Sequence, residues 1–484
     1  MSSLEFDPYA SATSMLRGLQ NRVISSTELL ENHLERIEQF NPVLNAIVTP
    51  NYEEALAVAH GTDSSRSRGE DAPLLGLPLT IKDCIDVAGL NGTAGVEAFS
   101  DRVPESDSRL AARVKEAGGV IMGKTNVPPN AADWQSSNSI FGRTNNPWDL
   151  GRTPGGSTGG GAAAVAAGLT PLEFGSDIGG SIRVPAAFCG IYGHKPSETA
   201  LARSGHFPGT PLPNPAATMA VQGPLARTAQ DLALGLDVTS GPDVGEDVAW
   251  RLEIPNPRHT TLSDFRVAVM PQIEWLPLDS EILAAQEQLV DYLVAGGAKV
   301  AKTQPANFGD LRRHHRVYSS ILGLMTSSGT AEQRGRLASN MRASHDEFQI
   351  AMADGIEASG GDFLGWLQER ERLREGYREF FKSWDVLIAP ITLTPAFPHT
   401  EAPWPERVLT VNGSEVSYGL QTVYPAVATL CGQPATAFPV GLTRSGLPIG
   451  LQAIGPYLED HTPITFASLL EGEFSGFRPP PSYR

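Results

Sequence analysis

Three residues of this chain have the types and spacing of an acyl-transfer site: a lysine, a serine 75 positions on, and a second serine 24 beyond that. They are Lys82 in Gly76-Leu77-Pro78-Leu79-Thr80-Ile81-Lys82-Asp83, Ser157 in Pro154-Gly155-Gly156-Ser157-Thr158-Gly159-Gly160-Gly161, and Ser181 in Gly175-Ser176-Asp177-Ile178-Gly179-Gly180-Ser181-Ile182-Arg183. A serine preceded by two glycines can sit where successive backbone N–H groups converge, and such donors stabilise the anion formed when a hydroxyl attacks a carbonyl. Lysine is ordinarily a solvated surface charge. Lys82 instead ends the apolar run Leu77 to Ile81, and desolvation disfavours an ammonium, so a buried amine becomes a usable base near neutral pH.

Rival readings of the same segments are weaker. The glycine-rich stretch has neither Walker A order nor G-x-G-x-x-G spacing, which argues against phosphate cradling. Gly155, Ser157 and Gly159 do match G-x-S-x-G, the nucleophile elbow of another hydrolase class. That elbow needs a strand just before the serine, whereas Thr144 to Pro154 is polar and holds two prolines. Gly161 to Gly168 is alanine-rich and apolar on every side, as in a helix buried in a tight space. None of the ten histidines stands at metal-ligand spacing, and His194 in Tyr192-Gly193-His194-Lys195-Pro196 reads as a packed structural residue.

Together these segments resemble the amidase signature family of serine hydrolases, in company with Phe40-Asn41-Pro42-Val43-Leu44-Asn45-Ala46, Gly123-Lys124-Thr125-Asn126, Gly223-Pro224-Leu225-Ala226-Arg227 and Gly432-Gln433-Pro434-Ala435. The resemblance implies Ser181 as nucleophile, Ser157 as a bridging serine on a cis peptide after Gly156, and Lys82 as base. It implies an oxyanion hole from the backbone of Ile178, Gly179, Gly180 and Ser181, with Asp177, Arg183 and Thr158 in support. Thr158 departs from the family, standing where many relatives carry a second serine. Pro128, Pro129 and Trp134, in the segment Val127 to Ser136, are expected on a pocket wall. With Tyr318 and Trp366 as lid aromatics they point to aryl or medium-sized apolar amides, anilides or carbamates, with esters as chemically related substrates. The alternatives are a glutamine-hydrolysing subunit of a tRNA-dependent amidotransferase, or an amidase-like binding protein without activity. No cofactor and no metal are expected.

The elements that must position these residues follow from periodicity. Helices are expected over Ala12–Leu19, after the capping box Ser25-Ser26-Thr27-Glu28, over Ser108–Glu116 and over Glu281–Val294. Short apolar runs at Leu77–Ile81, Gly119–Met122, Phe265–Met270, Val386–Ile391, Thr436–Val440 and Ile449–Ile454 read as buried strands. Such alternation gives an α/β class: one α/β/α layered domain with a central mixed, twisted sheet covered by helices on both faces. By this reading residues 1–484 are one amidase-signature domain. Its parts are N-terminal helices over 1–60, a catalytic core over 70–240, a charged, exposed helical lid-like region over about 305–385, and a return to the sheet over 385–484. Two proline-rich connections, Gly205–Pro215 and Pro395–Pro405, are long irregular loops of the kind that border active sites.

Bulk properties set limits. With 484 residues, 41% hydrophobic and 19% charged, a sizeable core is available, and the formal net charge of −17 disfavours a nucleic-acid or anionic membrane surface. Three separated cysteines, Cys84, Cys189 and Cys431, support neither a disulfide framework nor a zinc site. Met1–Asp7 has no signal-peptide pattern and no apolar run approaches a membrane span. The expected setting is cytoplasmic, the expected partner a small-molecule amide, and a homodimer is compatible with the sequence.

Overall fold

The computed structural model describes residues 6–208, 218–344 and 346–483. Most of the 205–215 connection therefore lies outside the described residues. Fifteen strands are described: β1 (Ile47–Pro50), β2 (Pro78–Lys82), β3 (Val120–Thr125), β4 (Ser137–Asn138), β5 (Gly142–Arg143), β6 (Leu172–Asp177), β7 (Tyr192–Lys195), β8 (Val221–Ala226), β9 (Arg266–Val269), β10 (Lys299–Lys302), β11 (Val386–Pro390), β12 (Val408–Val411), β13 (Ser414–Ser417), β14 (Ala435–Leu442) and β15 (Pro448–Ile454). Eleven of them form one sheet in the order β1-β3-β2-β6-β8-β7-β14-β15-β11-β9-β10. It is mixed: β3, β2 and β6 run parallel, the middle of the sheet alternates, and β11, β9 and β10 are again parallel.

The mixed α/β class expected from the sequence is the observed one. Successive side chains of a strand point to opposite faces, and β6 shows both faces covered. Glu173 points at the helix Gly159–Ala166, where a Cβ on Gly161 would stand 2.5 Å from it, and Phe174 points at the helix Ala229–Thr239, near Gly235. Strands β2, β3, β6, β8 and β11 are buried along their whole length.

One expectation fails. The charge pattern after Leu311 predicts exposed helices, but the first helix there, Arg312–Thr326, buries His314, His315 and Val317 to Gly323. The cause is an apolar stripe, Val317, Ile321 and Leu322, carried among charged residues. The later helices Ala331–Ala343 and Gly360–Ser383 keep most of their surface outward. Among the described residues no helix is long and apolar enough to cross a membrane.

Candidate active site

Lys82 is the last residue of β2 and is completely buried. Its Nζ lies 2.7 Å from Ser157 Oγ and 3.0 Å from Ser176 Oγ. Burial pushes its pKa below the ordinary lysine value, partly opposed by the nearby Cys84, Asp177, Glu173 and Asp83. A neutral amine in that position can take a proton from Ser157.

Ser157 stands two residues before the helix Gly159–Ala166, and the Gly156–Ser157 peptide is cis. Gly156 has to be glycine, because a Cβ there would sit 2.3 Å from the Asp133 carbonyl oxygen. Ser136 Oγ accepts from the Gly159 N–H at 3.0 Å and donates to the Gly155 carbonyl at 3.3 Å, tying the turn to the helix start. Thr158 donates through its N–H to the Ser181 carbonyl at 3.1 Å, which brings the two serine segments together. Its extra methyl is accommodated by Gly175, whose missing Cβ would stand 2.5 Å from Thr158 Cγ2.

Ser181 follows Gly180, whose φ of +97° is in the region that favours glycine, and it keeps 7% of its surface exposed. The turn from Asp177 to Arg183 is wound around one carboxylate. Asp177 accepts from the N–H groups of Gly180 (2.9 Å) and Ile182 (3.1 Å) and from Arg183 Nε (3.0 Å) and Nη2 (2.9 Å). Arg183 also donates to the Pro425 carbonyl, Gln452 Oε1 and Thr429 Oγ1, fixing the turn to the elements on its far side. Burial alone would raise the Asp177 pKa; the guanidinium and the N–H donors outweigh it and hold it at about 2. The stability this carboxylate contributes is present above its ordinary range and lost as pH falls through about 2. Asp177→Asn leaves a buried guanidinium uncompensated and is expected to lower stability by about 3–5 kcal/mol, read as an earlier urea midpoint at unchanged slope.

Not all four expected oxyanion positions are alike. The Gly180 N–H is engaged by Asp177, whereas those of Ile178, Gly179 and Ser181 have no hydrogen-bond partner among the described residues. Two aromatic side chains hold the intervening peptides from behind: Tyr318 Oη donates to the Ile178 carbonyl at 2.9 Å and Trp134 Nε1 to the Gly179 carbonyl at 3.2 Å. In a planar trans peptide the Ile178 carbonyl and the Gly179 N–H point to opposite sides, so the first of these bonds turns that N–H away from Tyr318.

These contacts show how the residues expected on the pocket wall and in the lid are held. Trp134 is only 5% exposed and packs against Trp404 and Tyr418 at centroid distances of 5.5 and 5.1 Å, because a buried indole N–H takes a partner and the Gly179 carbonyl supplies it. Tyr318 is buried for the same reason, Pro128 is buried, Pro129 is exposed and Trp366 is half-buried. The 395–405 connection does run beside the serine segment: the Thr153 N–H donates to the Phe397 carbonyl, and Gln135 exchanges two hydrogen bonds with the Thr400 backbone. Two pocket-like clefts, one beside Trp148 and Pro448 and one between Met270 and Tyr424, include none of the three residues. His194 is structural as expected, held between Thr436 and Asp460. Among the described residues no group of three or more His, Cys, Asp or Glu could hold a metal ion.

Sequence reasoning passes over Ser176, Glu173 and Gln452, which meet Lys82 or Arg183 or stand behind them. For Gln452 the available signal is a polar residue inside an otherwise apolar strand.

The sequence profile of the amidase family matches residues 28–463. The chain belongs to that family. Among curated relatives, a glutamyl-tRNA(Gln) amidotransferase subunit of Chromohalobacter salexigens is 31% identical over 469 residues, covering 93% of each chain. The like-named protein of a Synechococcus strain is 32% identical over 478 residues, covering 91% of this chain and 92% of the relative. Among solved structures, 6-aminohexanoate cyclic dimer hydrolase superposes with a TM-score of 0.80 at 27% identity, over 99% of this chain and 100% of that one. A bacterial aryl acylamidase shares the fold with a TM-score of 0.79 at 24% identity, over 96% of each. This amidase-family chain is thus a hydrolase of carbon–nitrogen bonds, with Lys82, Ser157 and Ser181 drawn to one end of β2 and β6.

Proposed function

We propose that this chain hydrolyses carboxamides through an acyl-enzyme on Ser181. The observation that carries the reading is the 2.7 Å approach of a fully buried Lys82 amine to Ser157 Oγ. Ser157 takes the Ser181 proton as Ser181 Oγ attacks the amide carbon, and Lys82 takes the proton of Ser157. The relay then runs backwards to protonate the leaving amine, and water repeats the cycle on the ester. The N–H groups of Ile178, Gly179 and Ser181 are the oxyanion donors, and Asp177 with Arg183 holds their loop. Residues 1–484 act as one unit in this reading.

For the amide itself, glutamine is the substrate that the curated relatives favour. These amidotransferase components match over more than nine-tenths of the chain, and such a role would place the chain in an assembly with other proteins. The apolar-amide reading stands second. It is supported by the 27% identity to a hydrolase named for the cyclic dimer of 6-aminohexanoate. A hydrolysis panel of the purified chain against glutamine, short aliphatic amides, aryl amides, anilides and aryl carbamates separates them. Glutamine is expected to lead. Turnover of the aryl compounds with none of glutamine reverses the order, and no turnover of any amide favours a binding protein.

A further inference from the structure

Behind Lys82 the sheet carries a carboxyl that the relay above leaves unused. Glu173 of β6 is paired in register with Thr80 of β2, and Lys82, two residues on from Thr80, projects to the same face. Thr125 of β3 is paired with Lys82 and donates through Oγ1 to Glu173 Oε1 at 2.7 Å. The helix Gly159–Ala166, which follows Ser157, lies over this face and comes so close to Glu173 that Gly161 admits no Cβ. Glu173 is completely buried, and its second oxygen, Oε2, has no hydrogen-bond partner among the described residues. A buried polar atom left unpaired is costly, and a carboxyl kept there beside a buried amine calls for a role.

We propose that Glu173 is a positioning residue for Lys82: its carboxylate balances the ammonium across the shared face and so shifts the pH at which the amine is free to take a proton. This rests on the reading of Lys82 as the base. Burial raises the Glu173 carboxyl to about 7, with the Thr80 and Thr125 hydroxyls and then Lys82 pulling it down. It is therefore part-ionised near neutrality, and when ionised it favours the charged form of Lys82. The other groups around Lys82 are committed elsewhere. Asp177 is paired with Arg183, and Asp83 accepts from the Thr93 N–H and hydroxyl through Oδ2, its Oδ1 having no partner among the described residues. Burial raises the Cys84 thiol and lowers His206, and Lys124 of β3 donates to the Asn91 carbonyl.

The test needs no knowledge of the substrate. The rate of labelling of the full chain by a fluorophosphonate, with the modified residue located by mass spectrometry, is followed over about pH 5–9. For the wild type the rate climbs with pH along an acid limb. Glu173→Gln removes the balancing charge, so the limb is expected to move about 0.5–1 pH unit lower, making labelling below the wild-type midpoint about three- to tenfold faster. A limb that stays in place or moves upward, with the label still on Ser181, overturns the proposal. Should Glu173→Gln not fold, Thr125→Val decides. It removes a hydrogen bond that favours the carboxylate, so a smaller move in the same direction supports the proposal and an unmoved limb overturns it. A wild type without an acid limb, or labelled elsewhere, overturns the reading of Lys82 as base and this proposal with it.

Discussion

Ser181→Ala is expected to abolish both amide hydrolysis and fluorophosphonate labelling, with a fall in turnover of up to about 10⁶-fold, the scale on which removal of a serine nucleophile acts. The structure argues for this residue over Ser157. Ser157 is 1% exposed and its hydroxyl is taken up by Lys82, whereas Ser181 keeps some exposure and stands beside backbone N–H groups that have no other partner among the described residues. A variant that folds and is still labelled, with the label on Ser157, would exchange the two roles. A residual rate near wild type would remove the acyl-enzyme altogether. The oxyanion loop should survive the substitution, since Asp177, Tyr318 and Trp134 hold it through backbone and carbonyl groups and do not touch the Ser181 hydroxyl.

Much of this arrangement is legible in the chain, for a reason visible in particular elements. Runs such as Leu77–Ile81 and Ile449–Ile454 are recognisable as strands because strands buried on both faces are continuously apolar, and the structure places strands at Pro78–Lys82 and Pro448–Ile454. Strand β6 escapes because Glu173, Gly175, Ser176 and Asp177 make Leu172–Asp177 read as the start of a loop. Here the site overrides propensity: Ser176, Gly175 and Asp177 are the residues that meet Lys82, Thr158 and Arg183. The same holds for Trp134. Its apolar body suggests a surface for substrate; its N–H also takes the Gly179 carbonyl as partner, and sequence alone does not show which carbonyl is within reach. The lysine and serine segments are readable as a set because the backbone around them is constrained by close approach, as at Gly156 and Gly161, where no side chain fits.

Lys82→Ala is expected to cost about 10²–10⁴-fold in activity, the range for loss of a general base, while leaving Ser181 in place as a slower nucleophile. The wild-type profile carries the sign. Burial lowers the pKa of Lys82 from its ordinary value, so the neutral amine gains population as pH rises through and above neutrality, and activity climbs with it. Lys82→Arg separates base chemistry from charge. A guanidinium keeps the positive charge but does not give up its proton in a protein, so this variant should be as inactive as Lys82→Ala and should lose the acid limb. An arginine variant that retains activity would mean that the site needs only a cation near Ser157. In that case the 2.7 Å contact would be a structural hydrogen bond and not a step in the relay.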